Sequence, residues 1–90
     1  MKQHITKKQW DELDKKILIE AFGEYGYHED DIIIGRMIEF LGVDLWRIEL
    51  EGVLNKPWSV DFTLKGKLCG RKSRELCDAL WEAVKYKLKQ

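Results

Sequence analysis

The chain has 90 residues, 44% of them apolar, with four Trp, one Pro and a formal net charge of zero. This length and composition fit one fully folded domain spanning residues 1–90 and exclude a disordered or low-complexity polymer. No apolar run approaches the roughly 18 residues needed to cross a bilayer, and the opening MKQHITKKQW lacks the apolar middle of a signal peptide, so no membrane association and a cytoplasmic location are expected. The charge is uneven along the chain. Residues 1–64 hold 8 basic and 13 acidic side chains, net −5, and residues 65–90 hold 8 basic and 3 acidic, net +5. Such asymmetry steers an anionic partner to one end or favours head-to-tail self-pairing.

A helix is expected over residues 7–22. Thr6 and Gln9 have the spacing of a capping box, Ile5 and Trp10 that of a hydrophobic staple, and Gly23 offers a left-handed stop. Trp10, Leu13, Ile17 and Ala21, widened by Leu18 and Phe22, form its apolar stripe.

The polar segment EYGYHEDD follows. Tyr25, Tyr27, Glu29, Asp30 and Asp31 lie outside any periodic pattern and are the candidate protein-binding residues. His28, Glu29, Asp30 and Asp31 are metal-ligand types, but the regular spacing of a calcium loop is absent, so no metal is expected. His4 has no evident partner in the sequence.

IIIGRMIEFLG alternates as a strand would, but helical spacing gathers Ile33, Ile34, Met37, Ile38 and Leu41 on one face. A helix capped by Asp30 or Asp31 and stopped by Gly42 is expected, with a strand over 32–41 as the alternative. Trp46, Ile48 and Leu50, then Trp58, Val60, Phe62 and Leu64, alternate with polar residues and predict two strands. The link EGVLNKP, with Gly52, Asn55 and Pro57, makes them an antiparallel hairpin. From Ser73 onward Leu76, Cys77, Leu80, Trp81, Val84 and Leu88 trace a helix whose end carries Lys85, Lys87 and Lys89.

The expected fold is therefore α+β in the order α-α-β-β-α, with the hairpin covered by helices, or α-β-β-β-α if residues 32–41 are a strand. All four Trp are expected on apolar faces. A lone hairpin leaves two open edges, so a further strand is wanted, either from residues 32–40 or from a second copy in a homodimer.

Between the second strand and the last helix lies GKLCGRKSR. Lys65, Lys67, Arg71, Lys72 and Arg74 are five cations in ten residues, read as a basic loop converging on a helix N-terminus and as the candidate anion site. It is not a nucleotide P-loop, since three residues separate Gly66 from Gly70 and Arg71 follows. A strand, a basic loop and a helix are also how double-stranded RNA-binding domains meet phosphate.

No catalytic set emerges. Ser73 has no histidine in its half of the chain, and Cys69 and Cys77 lack companions for a zinc site or a thiol enzyme. The chain is expected to be a non-enzyme without cofactor.

The stretches ITKKQWDEL, IGRMIEFLG and ELCDALWEAVKYKLKQ together resemble a group of small accessory proteins encoded by phages and prophages of Firmicutes. The resemblance agrees with a helix in the middle stretch and brings no catalytic residues. It implies a domain that binds and disables a host defence component, such as a CRISPR effector, or sequesters its nucleotide signal. The alternative expectation is a nucleic-acid-binding phage regulator that uses the basic loop and the last helix.

Overall fold

The computed structural model describes residues 1–51 and 57–89. Among the described residues four helices and three strands follow one another as α1 (Lys7–Trp10), α2 (Lys15–Phe22), α3 (Ile34–Leu41), β1 (Leu45–Leu50), β2 (Trp58–Leu64), β3 (Lys67–Ser73) and α4 (Leu76–Leu88). Short 3-10 turns separate α2 from α3 and α3 from β1. The class is α+β.

The first expected helix is two. Thr6 and Gln9 do form the capping box, but α1 ends after one turn at Trp10. Asp14 then accepts from the Lys16 amide at 2.8 Å and starts α2. A short carboxylate that caps a nearby amide competes with continuing the helix, which is why the break falls here. The break turns Leu13 into the core, while Ile17, placed on the predicted stripe, is 36% exposed. Gly23 and Gly42 end α2 and α3 with positive φ, as expected of them.

Residues 34–41 are helical. Their N-cap is Ile33, without a side-chain hydrogen bond, so neither Asp30 nor Asp31 has the capping role expected of it. Both sit in a single 3-10 turn, Glu29–Asp31. The entry into α3 is held from the N-terminal segment instead: His4 forms an antiparallel bridge with Ile33, with Ile5 N–H donating to the Ile32 carbonyl at 3.3 Å and Ile34 N–H to the Gln3 carbonyl at 3.1 Å.

The sheet has the order β1-β2-β3, antiparallel throughout. The predicted pairing of β1 with β2 holds. Within their connection, residues 52–56 lie outside the described residues, and Glu51 N–H donates to the Pro57 carbonyl at 3.0 Å across its ends. A third strand does join the hairpin, and residues 32–40, which lead into and form α3, do not supply it. It is β3, the segment expected to be a basic loop, joined to β2 by a turn in which Lys65 and Gly66 both have positive φ (52° and 79°). That combination matches the right-handed twist of a two-residue hairpin.

The helices cover one face of the sheet. Val60, Phe62, Leu80, Trp81 and Val84 are fully buried between α4 and β2, and Met37 and Leu41 of α3 close the same core. Phe62 and Tyr86 meet edge to face, with centroids 5.9 Å apart. The other face is open.

Candidate functional site

Side chains alternate across a strand, and residues directly opposite one another in an antiparallel pair share a face. Val60 and Phe62 face the helices, so their partners Arg71 and Cys69 do too. Asp61 and Thr63, with Gly70 and Leu68 opposite them and Arg47 across from Asp61, therefore lie on the open face. The pairing shifts between Leu45 and Arg47, and Trp46 is the inserted residue. Such a bulge breaks the alternation expected for β1. Leu45 and Ile48 pack on the core, whereas Trp46 is 62% exposed and Leu50 43%. The expectation that all four Trp lie on apolar faces fails at Trp46 alone: Trp81 is buried, and Trp10 and Trp58 pack half-buried against the core.

The open face thus carries Trp46 and Leu68, both majority-exposed, with the Arg47 guanidinium 5.3 Å from the Trp46 ring. Arg47 also reaches Asp61 at 3.2 Å and Glu49 at 3.4 Å. Gly70 leaves room for the Asp61 side chain opposite it, since a Cβ there would stand 3.1 Å from the Asp61 carboxylate.

The five expected anion-binding cations are dispersed by the strand that holds them. Lys72 pairs with Glu51 at 2.8 Å, and the resulting hydrogen bond raises the Lys72 pKa. Arg71 points to the helical side, with its guanidinium 4.4 Å from the Tyr86 ring and donating to the Gly70 carbonyl at 2.7 Å. Lys65, Lys67 and Arg74 are exposed, the first two at the hairpin turn and the last beyond the strand. They do not converge on the start of α4. That helix begins at Glu75, whose carboxylate accepts the Lys2 amide at 3.1 Å, and its first turn holds Asp78, which accepts from Gln9 at 2.8 Å and pairs with Lys2. The first turn of α4 thus carries two carboxylates turned to Lys2 and Gln9, and no side chain among the described residues caps its amides.

The uneven charge of the sequence is partly consumed within the fold. Lys85 bonds Glu12 at 2.8 Å, Lys87 bonds Asp44 at 2.6 Å and Lys72 bonds Glu51, each joining the basic third of the chain to the acidic remainder.

In the acidic segment, Tyr27 is 64% exposed, as a docking residue needs to be. Tyr25 is engaged: the Arg36 guanidinium stacks 3.1 Å from its ring centroid. No local signal in the sequence marks the stacking of Arg36 on Tyr25, because the two residues are eleven apart on different elements. With Ala21, Phe22, Glu39 and Phe40 they line a shallow cavity of about 190 Å³. The buried Arg36 Nε has no hydrogen-bond partner among the described residues. A second groove of about 140 Å³ between β3 and α4 is lined by Arg71, Glu82, Lys85, Tyr86 and Lys89. His4, without an evident partner in the sequence, lies 3.5 Å from Asp30.

Burial pushes the Cys77 thiol up to about 11, against the ordinary reactivity of a cysteine nucleophile. Among the described residues no helix is long and apolar enough to cross a membrane. No protein-family model, curated protein or solved structure matches the chain.

Proposed function

We propose that this chain is a non-catalytic protein-binding domain that occupies a surface of a host defence protein, the role implied by its resemblance to phage accessory proteins. The observation that supports this reading is the open sheet face, where Trp46 and Leu68 are 62% and 59% exposed beside Arg47. Trp and Arg dominate the energetics of protein interfaces because they bury much area and still satisfy polar groups. The Trp46 bulge is the device that aims the indole outward, at the edge of the sheet, where a partner meets little steric obstruction.

A protein partner fits this face better than nucleic acid does. Asp61, Glu49 and Glu51 share the face and its rim with the cations, and Arg47 and Lys72 are already neutralised there. Phosphate binding relies on uncompensated Lys and Arg. Tyr27 on the far loop is a second contact point, and sequestration of a nucleotide signal is the weaker form of the proposal because the cations of residues 65–74 are split between the two faces of β3.

The test is relief of a defence system in a host that carries it, measured as plating efficiency of a sensitive phage when the chain is expressed. Relief by the native chain, lost in the Trp46→Ala, Leu68→Ala double variant with unchanged circular dichroism, is the expected result. Undiminished relief by that variant, or no relief in any host assayed, overturns the assignment. Salt-sensitive retention on heparin that disappears in Lys67→Ala, Lys72→Ala would move the function to nucleic acid.

A further inference from the structure

We propose that the cavity between α2 and α3 binds the carboxylate of a small ligand with an apolar body, and that Arg36 is the residue that receives it. Arg36 and Glu39 lie three residues apart on α3, and both line this space of about 190 Å³ together with Tyr25, Phe22 and Phe40. Residues at that spacing share one face of a helix. Among the described residues neither forms an ion pair, although opposite charges three or four apart do pair elsewhere in the fold: Lys7 and Lys15 with Asp11, and Lys85 with Glu82.

Arg36 is held by the Tyr25 ring, whose centroid lies 3.1 Å from the guanidinium. Stacking uses the flat side of the guanidinium and leaves its edge, which carries every N–H donor, for another partner. Among the described residues no such partner is present, and Nε is buried. A buried donor without an acceptor is costly, and native folds leave few of them. Arg71, the other arginine stacked on a tyrosine, supplies the contrast: it donates to the Gly70 carbonyl at 2.7 Å.

The rest of the lining identifies the acceptor. A carboxylate meets the edge of a guanidinium with two parallel hydrogen bonds. Phosphate has the same geometry, but Glu39 on the same wall repels a doubly charged group more strongly than a singly charged one. Phe22 and Phe40, with ring centroids 5.3 Å apart, present an apolar surface, so the carboxylate is one borne on an apolar body. Pockets for drug-sized molecules start at about 300 Å³, and this smaller space limits that body to a ring or a short branched chain. A simple organic acid and an apolar amino acid share this chemistry. They differ at Glu39, which would accept the ammonium group of the amino acid.

Nε has no path to solvent, so a ligand on its edge requires the Tyr25 ring to tilt. That ring is 36% exposed on the 3-10 turn Gly23–Gly26, and among the described residues the tilt breaks no hydrogen bond. The cavity belongs to the helices, whereas the proposed protein contact uses the open face of the sheet, so the two assignments stand or fall separately.

The experiment titrates the full chain with sodium benzoate, L-phenylalanine and inorganic phosphate at constant ionic strength, followed by ¹H–¹⁵N spectra that include the arginine Nε–H groups. Saturable binding of benzoate is expected, with shifts at Arg36 Nε–H and at the Tyr25 and Phe40 amides, and no saturable response to phosphate. Arg36→Lys keeps the charge without the two-pronged edge and should weaken binding roughly tenfold or more, with unchanged circular dichroism. The Trp46→Ala, Leu68→Ala double variant should bind as the native chain does. Tighter binding of L-phenylalanine than of benzoate, with the difference lost in Glu39→Gln, makes the ligand an amino acid; benzoate bound as tightly or more tightly makes it a simple acid. Absence of saturable binding by either carboxylate, phosphate bound as tightly as benzoate, unchanged affinity in Arg36→Lys, or binding lost in the Trp46→Ala, Leu68→Ala variant each overturns the site.

Discussion

The indole Nε1 of Trp81 donates to Glu12 at 3.0 Å, joining the fully buried tryptophan of the last helix to the break between α1 and α2. The other carboxylate oxygen accepts from Lys85 at 2.8 Å, so one acidic side chain satisfies two donors of α4. Replacing Glu12 by Ala leaves the indole N–H without its acceptor, and roughly 1–3 kcal/mol of stability should be lost in urea unfolding. A Glu12→Gln variant keeps an acceptor for Trp81 and should lose less.

The same carboxyl gives an acid-side prediction. Burial pushes the Glu12 pKa up, but hydrogen bonds from Lys85 and Trp81 outweigh it and hold the group below its ordinary 4.5. A group lowered in the folded state stabilises fully above its unfolded value and loses that contribution as pH falls through the folded value. Unfolding followed from pH 7 to 3 should show the native chain losing stability below about pH 4.5, with a shallower loss in Glu12→Gln. Identical slopes for the two proteins would show that Glu12 carries none of it.

Gly26 is fixed by close approach. A Cβ at that position would stand 2.4 Å from the Leu18 carbonyl oxygen, inside contact with backbone that cannot yield, and the Gly26 carbonyl also accepts from the Trp10 indole at 3.2 Å. Gly26→Ala should therefore destabilise by about 3 kcal/mol. Gly35, in the first turn of α3, meets nothing within 4 Å, and alanine there should stabilise by roughly 0.5–1 kcal/mol. Paired thermal melts of the two variants, shifting in opposite directions, check both.

What the sequence disclosed followed how local each signal was. The capping box at Thr6, the stops at Gly23 and Gly42, and the stripe of α4 are read within a turn or two of chain, and all four are present. β3 was hidden because its inward residues are Cys69, Arg71 and Ser73, which offer no apolar alternation. Arg71 serves as a core-facing residue through its stem and its stacking on Tyr86, a contact set by α4. Trp46 was misplaced because it is the extra residue of a bulge, turned outward while Ile48 keeps its expected place on the core, and no residue type announces such a bulge. At the candidate sites, the residues of the acidic segment were named in advance, but Arg36 gained its importance from a partner that only the fold brings near.

The two cysteines should differ in reactivity. Cys77 is fully buried and its thiol is pushed up to about 11 by desolvation, with the nearby Lys2 only partly opposing this. Alkylation by iodoacetamide at pH 8.5 should modify Cys69, which is half-buried at the sheet, and leave Cys77 intact until denaturant is added. Peptide mapping by mass spectrometry reads both sites, and equal labelling in the native protein would contradict the packing of α4.

The turn between β2 and β3 has a residue that its backbone does not favour. Lys65 has φ of 52°, where a side chain with a Cβ is disfavoured, and Gly66 follows at 79°. Two-residue hairpin turns with both central residues at positive φ strongly prefer Asn-Gly, because asparagine tolerates the left-handed region through its own local hydrogen bonding. Lys65→Asn should accordingly stabilise the domain by about 0.5–1 kcal/mol, an estimate taken from the size of comparable backbone effects. The substitution also removes one cation from the hairpin tip while leaving Trp46 and Leu68 in place. A variant that is more stable in urea and still relieves host defence would separate the strand's role in folding from any role of its charge, and a loss of stability would show that the turn adopts another backbone geometry.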